Sequence, residues 1–431
     1  MLQTIRNAWK IEEIRKKLIF MGFILLLYRL GDAVPVPYVN VEALSTYFQS
    51  MQNTVLGLYN VMSGSAFSRA TIFALSIQPY INASIIIQLL TIAIPAMERL
   101  QKEGGEEGKK KLEKITRYST LGIGLIQGLG YYFLMKNSTS PQILTTGDVW
   151  PAIVIILSFT AGSCLLMWMG EQITEFGIGN GISIILFTSI VSRWPTQLVQ
   201  TITKVKAEPS SWLLHVLLLI GVLLVIVMIV IVTQSERRIP VQYAKRVVGR
   251  KMYGGQSTHL PMKVNMSGVM PIIFAQSIAS LPATVVTFVP AWNTKTNWFL
   301  NAFNTNTWTY ALIYFLLIVF FAYFYSTIQF NPVEVANNLK KNGGFIPGFR
   351  AGKPTSEFIQ KVLTKITLFG ALYLAIIAIT PIIISLFSPT AAEQGISLGG
   401  TSIIIVVGVA LETMKQLEAQ MLMRHYKGFL E

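Results

Sequence analysis

Charged residues are scarce in this 431-residue sequence, in which Asp, Glu, Lys and Arg together make up 13%. Soluble globular domains carry about a quarter charged residues, so the composition excludes that class. Acidic residues are especially few, 20 against 35 Lys and Arg, and the formal net charge is +15. The chain is instead 52% hydrophobic, with a mean hydropathy of +0.53. This composition predicts a polytopic membrane protein.

Cysteine and histidine are also nearly absent. The one cysteine, Cys164, lies in an apolar run, so no disulfide can form within the chain. His215, His259 and His425 are scattered and lack the spacing of metal ligands. We therefore expect no disulfide framework, no metal site and no other cofactor.

Two further absences concern the energy source. No apolar run carries Asp or Glu near its middle, where ion-coupled transporters and pumps place ionisable groups; Asp32, Glu171 and Glu412 lie at the ends of runs. The segment Pro347–Thr355, PGFRAGKPT, resembles the end of a phosphate-binding loop, but proline stands where its first glycine is needed. We expect a protein that binds no nucleotide and is not an enzyme, with energy supplied by a partner or a gradient.

Ten windows of about twenty apolar residues predict ten membrane-spanning helices. They cover residues 18–36, 71–94, 117–135, 150–169, 179–198, 212–233, 268–290, 308–330, 366–387 and 400–413. The first window contains Leu18–Leu30, an apolar run after three basic residues that also looks like a signal peptide. No small-residue cleavage site follows it, so it is interpreted as a retained span.

Basic residues predict the orientation of these helices. Of the 35 Lys and Arg, 28 fall in the segments that the ten windows place on one side of the membrane. Cytoplasmic loops carry an excess of Lys and Arg. Because the number of windows is even, both termini are expected in the cytoplasm, in a multi-pass protein of the cell (plasma) membrane.

A polar stretch near 195–211 divides the windows into two sets of five, which gives an N-terminal half, 1–198, and a C-terminal half, 199–431. The second window of each half starts at a proline and mixes polar residues into its apolar run, as QPYINASIIIQ and MPIIFAQSIASLP. Matching irregularities in corresponding spans are typical of inverted repeats with a working site between them. The cytoplasmic loops 234–267 and 331–365 are long and basic. They are interpreted either as topology signals alone or as a docking surface.

The second window poses a problem, because a lipid-facing helix tolerates polar residues poorly. On a helical wheel, one side carries Gln78, Ser84, Gln88 and Thr91, and the other carries Ala83, Ile86, Ile87 and Leu90. Ile81 and Ile85 interrupt the polar side, and the same spacing recurs at Ile182 and Leu186. Such pairs ordinarily pack in cores. The flanking polar residues favour an apolar constriction between two water-filled funnels.

Five long segments resemble the SecY/Sec61-alpha family of protein-translocation channels. They are IQPYINASIIIQLL, GEQITEFGIGNGISII, YAKRVVGRKMYGGQSTHLPMKVNMSGVMPIIFA, NPVEVANNLKKNGGFIPGFRAGKPT and GGTSIIIVVGVALETMKQ. The resemblance covers nearly the whole chain and is closest to members from Gram-positive bacteria. It implies an all-α polytopic membrane fold, with ten transmembrane helices in two inverted five-helix halves around a central hourglass pore.

The resemblance also implies roles for individual residues. The pore ring would be Ile81, Ile85, Ile182, Leu186, Ile273 and Ile405, with Leu186 in place of the more usual isoleucine. Residues 57–70 match the short plug helix of the outer funnel, with the site residues Asn60, Ser63, Gly64, Ser65 and Arg69. The lateral gate would lie between spans two and three on one side and seven and eight on the other, with a polar seam of Thr91, Gln127 and Ser277.

The partners implied by the resemblance are the small membrane subunits SecE and SecG, the SecA motor, the ribosome, signal sequences and lipid. The residues that would dock the motor or the ribosome are Lys245, Arg246, Arg250, Lys251 and Arg350. The expected function is a channel that passes unfolded preproteins, recognises signal sequences at its gate and releases apolar segments into the bilayer. A small-solute transporter is the rival, but it would need a charged residue at mid-membrane. A membrane scaffold does not explain the polar sides of spans two and seven.

Overall fold

The computed structural model describes residues 2–50, 55–137, 143–145, 148–207, 212–243, 246–248, 251–253, 257–288, 307–387 and 400–427. Helices dominate these residues. In chain order they are α1 (Leu2–Lys10), α2 (Glu12–Gly31), α3 (Val41–Ser50), α4 (Val55–Met62), α5 (Gln78–Ala93), α6 (Pro95–Lys102), α7 (Gly105–Asn137), α8 (Val149–Phe176), α9 (Gly181–Val191), α10 (Trp194–Ala207), α11 (Trp212–Gln234), α12 (Met270–Phe288), α13 (Trp308–Gln329), α14 (Pro332–Lys341), α15 (Lys353–Phe387) and α16 (Gly400–Lys427).

Each of the ten predicted windows overlaps one of these helices. Among the described residues, five helical stretches are long and apolar enough to cross a membrane, and the bent pair of α5 and α6 brings the number to six. The five lie in α8, in α9 with α10, in α11, in α13 with α14, and in α15. The full set of ten crossings stays a prediction.

The helix of the second window is shorter than predicted. The window began at residue 71, but Thr71 forms an isolated β-bridge with Pro35 and residues 72–77 form turns. The helix α5 begins at Gln78, with Pro79 in its first turn, where a missing N–H costs little. The helix ends at Ala93 because Ile94 is extended (φ −108°, ψ 112°), as a residue before proline prefers. The chain then bends by 105° into α6.

The short helix α6 packs closely against the first turn of α7. A Cβ atom at Gly108 would lie 2.0 Å from the carbonyl oxygen of Leu100, and one at Gly104 would lie 2.5 Å from the same atom. Only glycine permits this approach of two backbones. The segment from α5 through α6 into α7 is therefore a folded corner rather than a flexible loop.

The fifth window, 179–198, contains parts of two helices. α9 ends at Val191, and α10 begins at Trp194 after a short turn. Pro195 stands in the first turn of α10, the helix position that proline fits best. The polar stretch 195–211 is thus helical up to Ala207.

The fold is mostly helical, but the two loops predicted to be cytoplasmic add five short strands that an all-α fold does not include. They are β1 (Glu236–Tyr243), β2 (Arg246–Val248), β3 (Lys251–Tyr253), β4 (Ser257–Lys263) and β5 (Gly344–Phe345). β1 pairs antiparallel with β4 and β5, and β2 pairs with β3. Alternate residues of β1, Ile239 and Val241, are buried with Met262 and Ile359, which gives the sheet an apolar face. These strands were not predicted, because the sequence analysis relied on long apolar runs and the strands are short.

Helices from the two predicted halves meet at α12, which packs against α5 and α7 from the N-terminal half and against α13 from its own. Likewise, α16 packs against α9 as well as α11 and α15. The main apolar core lies among these helices.

Candidate functional site

The six residues of the predicted ring belong to one apolar cluster, although they come from α5, α9, α12 and α16. Five of the side chains are at most 4% exposed: Ile81, Ile85, Leu186, Ile273 and Ile405. Ile182 is half-buried and packs against the same cluster. The structure therefore places all six side chains in or against the same apolar core cluster.

The polar side of α5 is packed against protein. Gln78, Asn82 and Thr91 are buried, and Ser84 and Gln88 are half-buried. The side that looked purely apolar is also partly covered, since Ala83 and Ile87 are buried while Ile86 is 45% exposed. The polar residues of this helix thus lie against other helices rather than against lipid.

The start of α9 is held firmly, and this fixes the direction of Ile182 and Leu186. The side-chain oxygen of Asn180 accepts hydrogen bonds from the backbone N–H groups of Ile182 (3.1 Å) and Ser183 (3.2 Å), which caps the helix. The Gly181 N–H donates to the hydroxyl of Thr174 on α8 at 2.9 Å. A Cβ at Gly181 would lie 2.0 Å from the Gly170 carbonyl oxygen, so only glycine fits at this crossing.

The predicted plug, residues 57–70, is helical only in its first part, because α4 ends at Met62 and a 3-10 turn, Phe67–Arg69, follows. Asn60 Oδ1 accepts from the Ser68 N–H at 3.0 Å, and Ser63 Oγ accepts from the Phe67 N–H at 3.1 Å. These two bonds close the chain between the helix and the 3-10 turn.

The turn of the predicted plug lies close to α9, and one basic residue of this segment is exposed. Gly64 has φ +68°, and a Cβ there would lie 3.0 Å from the carbonyl oxygen of Ser189. Ser65 also has a positive φ of 76°, which is a strained conformation for a residue with a side chain. Arg69 is exposed.

The end of the plug is held by an aromatic contact with α7. The rings of Phe67 and Tyr131 stack with centroids 4.2 Å apart and planes 16° apart. The Tyr131 hydroxyl also donates a hydrogen bond to the Phe67 carbonyl oxygen. One residue of α7 thus binds both the ring and the backbone of the plug.

Of the three predicted gate residues, Ser277 is the one that bonds across the seam, and its partner is Gln78. The Ser277 hydroxyl donates to Gln78 Oε1 at 3.5 Å. Thr91 is buried but donates to the Gln88 carbonyl oxygen in its own helix at 2.7 Å. Gln127 is buried on α7, which packs against α12. The three predicted residues thus lie on the packed helices without forming one hydrogen-bonded group.

Sequence reasoning missed the contacts made by four side chains, Gln78, Met62, Tyr59 and Ser280, which join the predicted plug to α5 and α12. The Gln78 Nε2 group donates to Met62 Sδ at 3.1 Å, and the Tyr59 hydroxyl lies 3.0 Å from Ser280 Oγ. Ser280 already donates its proton to the Ser277 carbonyl oxygen (2.7 Å), so Tyr59 is the donor to Ser280. Only the unusual polarity of Gln78 in an apolar run pointed toward this contact.

Two ion pairs connect α7 to α8 and close the end of α2. Arg117 Nε and Glu171 Oε1, 2.9 Å apart, join α7 to α8, and Arg29 pairs with Asp32 just beyond α2. At the start of α2, the hydrogen bond and charge of Lys16 lower the pKa of Glu12. Among the described residues, no group of three or more His, Cys, Asp or Glu could hold a metal ion.

Three of the five predicted docking residues lie on strands or turns that the structure describes. Arg350 is exposed in the turn after β5. Arg246 is on β2 and Lys251 on β3. Lys245 and Arg250 lie outside the described residues.

Comparisons with known proteins agree over the whole chain. The SecY family model matches residues 71–414. Over 442 residues and the full length of both proteins, the chain is 44% identical to the protein translocase subunit SecY of Streptomyces coelicolor. It is 41% identical to that of Thermotoga maritima, covering 100% of this chain and 98% of the relative.

Solved structures agree in fold. A structure described as a protein-conducting channel has a TM-score of 0.66 at 16% identity and covers 94% of this chain and 92% of its own. Sec61 in the canine ribosome–channel complex from the endoplasmic reticulum gives a TM-score of 0.62 at 15% identity, with the same coverage.

Proposed function

The chain belongs to the SecY family, and we propose that it is the protein-conducting subunit of a translocase in the cell membrane. It is a multi-pass membrane protein and not an enzyme. In this proposal it passes unfolded preproteins across the membrane, recognises signal sequences at a lateral gate and releases apolar segments into the bilayer. Both termini lie in the cytoplasm.

One observation carries the proposal: six aliphatic side chains from four helices converge in one buried cluster. A narrow aliphatic neck excludes water and ions without a charged gate, and it deforms around a passing chain. The cluster joins helices of both halves, 1–198 and 199–431, and this supports a pore between them. The ring is then the waist of an hourglass formed by ten membrane-spanning helices.

The free energies of lipid insertion and of hydrogen bonding allow a signal sequence to open the proposed lateral gate. Each Leu or Ile placed in the bilayer gains about 0.3–0.6 kcal/mol, so ten of them gain roughly 3–6 kcal/mol. Each hydrogen bond at the seam contributes about 0.5–1.5 kcal/mol net. An apolar segment that enters between α5 and α12 therefore offsets the loss of the few bonds found there. The plug then leaves the outer funnel and the pore is free.

The proposed partners are SecE, SecG, SecA, the ribosome and the signal sequences of preproteins. The exposed Arg350 and the half-apolar surface at Phe345 and Phe349, each 39% exposed, support docking at the cytoplasmic strands. The fold likeness to a channel in a ribosome complex supports the ribosome as one partner. Such a partner would supply the energy that this chain lacks.

Reconstitution tests the proposal. The full chain is placed in liposomes with SecE and SecG, and SecA, ATP and a preprotein are added outside. We expect the preprotein to become resistant to protease, and a preprotein without its signal sequence to remain sensitive. Equal sensitivity of both, with correctly inserted channel, would overturn the proposal.

A further inference from the structure

The side-chain amide of Gln78 bonds two elements that the proposed mechanism must separate. Its Nε2 donates to Met62 Sδ of the plug at 3.1 Å, and its Oε1 accepts from Ser277 Oγ of α12 at 3.5 Å. Gln78 itself is the first residue of α5. One residue thus connects the plug with both sides of the proposed gate.

Chemistry fixes the orientation of this amide. A thioether sulfur accepts hydrogen bonds and cannot donate them, so the NH2 group must face Met62. The oxygen is then left for the Ser277 hydroxyl. A flipped amide would place its oxygen against the sulfur and lose the first bond.

Burial makes the two bonds depend on each other. Gln78, Met62 and Ser277 are each at most 3% exposed, so water does not replace a lost partner. With both partners present, the side chain is held in one rotamer, and each bond bears part of the entropy cost of ordering it. When one bond breaks, the other must hold the side chain alone and is weakened.

We propose that Gln78 is a positioning residue that couples release of the plug to opening of the lateral gate. The inference rests on the proposed function, and it deepens that function by naming the residue that links the two movements. Coupling of this kind is reciprocal: loosening the plug favours gate opening, and loosening the gate favours plug release by the same factor.

A cycle of variants tests the coupling in the full chain in liposomes, with Cys164→Ser as background. Gate opening is measured as the population with a long distance between spin labels at Ile86 on α5 and Leu281 on α12, which are 45% and 43% exposed. Plug release is measured as the rate at which a cysteine introduced at Ser65 reacts with a membrane-impermeant maleimide. Met62→Leu removes the plug-side bond, and Ser277→Ala removes the gate-side bond.

We expect each variant to act at the other site. Met62→Leu should raise the open-gate population, and Ser277→Ala should raise the labelling rate at residue 65, each by about 2- to 10-fold, the range for one lost hydrogen bond. Both cross-effects should disappear in the Gln78→Met background, which keeps the length of the side chain and removes its amide. A gate population unmoved by Met62→Leu, or cross-effects that persist with Gln78→Met, would overturn the inference.

Gln88→Met is the matched control. Gln88 lies on the same helix, but its Nε2 donates only within α5, to Ser84 Oγ at 3.4 Å. Its loss should leave both cross-effects intact. If Gln78→Met does not fold, the absence of either cross-effect with Gln78 in place still overturns the inference.

These readouts need no preprotein and no motor. Cross-effects without preprotein transport would leave the coupling standing and remove the proposed function. Preprotein transport without cross-effects would support the proposed function and overturn the coupling.

Discussion

The hydroxyl of Tyr28 on α2 lies 2.7 Å from Ser189 Oγ on α9, and both side chains are buried. Ser189 donates its own proton to the Ile185 carbonyl oxygen at 2.8 Å, so Tyr28 is the donor of the bond between the helices. The carbonyl of the same Ser189 faces Gly64 of the plug. The contact therefore positions the part of α9 that lies next to Gly64 in the predicted plug.

Tyr28→Phe tests this contact. The variant keeps the ring and removes the donor, so we expect a loss of about 0.5–1.5 kcal/mol in stability, seen as a lower Tm in detergent. Tyr118→Phe is the control, because Tyr118 is 66% exposed and should show no change. An equal Tm for wild type and Tyr28→Phe would show that the bond contributes nothing.

Polar substitution in the ring should open a leak. Ile81→Asn or Ile405→Asn places an amide in the proposed neck, and we expect ion conductance in planar bilayers and export of preproteins with defective signal sequences. Ile86→Asn, on the outer side of the same helix as Ile81, should not conduct. Unchanged conductance in both ring variants would contradict the ring.

Charge reversal at the cytoplasmic surface should block the motor. Arg350→Glu is expected to reduce SecA-driven transport by about tenfold or more, because it places like charges opposite each other at a docking surface. Lys136→Glu reverses an exposed charge on the predicted outer side and should leave transport unchanged. Normal ATP-dependent transport with Arg350→Glu would refute docking at this residue.

Fixing the plug should stop transport. Cysteines introduced at Ser65 and at Ser192, which lies beside Gly64, are joined by a short bifunctional maleimide in the Cys164→Ser background. We expect preprotein transport to cease and the channel to remain closed. Each single cysteine treated with the reagent is the control, and undiminished secretion by the crosslinked protein would rule out plug movement.

Two glycine-to-alanine substitutions distinguish the effect of close packing on stability from the effect of helix propensity. Gly181→Ala would place a Cβ 2.0 Å from the Gly170 carbonyl oxygen, so we expect a loss of about 1–3 kcal/mol from overpacking and a lower Tm. Gly122→Ala, with nothing within 4 Å of its Cβ, should raise stability by about 0.5–1 kcal/mol. A neutral Gly181→Ala would contradict the tight crossing of α8 and α9.

Family membership was predictable from the sequence, and the closeness to Gram-positive members is confirmed by the Streptomyces relative. The reason is that each long motif combines residues needed for local structure in one continuous stretch. Asn180, for example, caps α9, and Ile405 packs in the core. Helical spacing predicted that Ile81 and Ile85 lie on one side of their helix, but only the family resemblance implied that they lie with residues of α9 and α16. The structure places these residues in or against one apolar cluster. Their role as a ring stays a prediction.

The contacts of Gln78 could not be predicted in this way. Its partner Ser277 is 199 positions away, and periodicity along one helix says nothing about which residue of another helix meets it. The turns before α5 were missed because residues 71–77 are apolar enough to extend the window. The five strands were missed because strands of two to eight residues leave only a short alternating signal.

The bend of 105° at Ile94 and Pro95 has a mechanical consequence. Because α6 follows α5 directly and its backbone contacts α7 at Gly108, we expect a tilt of α5 at the proposed seam to move the hairpin 95–108 as well. In the predicted topology this hairpin lies outside the bilayer, so the movement would be a rotation in water. A fluorophore on the hairpin 95–108 would therefore report, from the aqueous side and without a label in the pore, whether the two halves of the protein have separated.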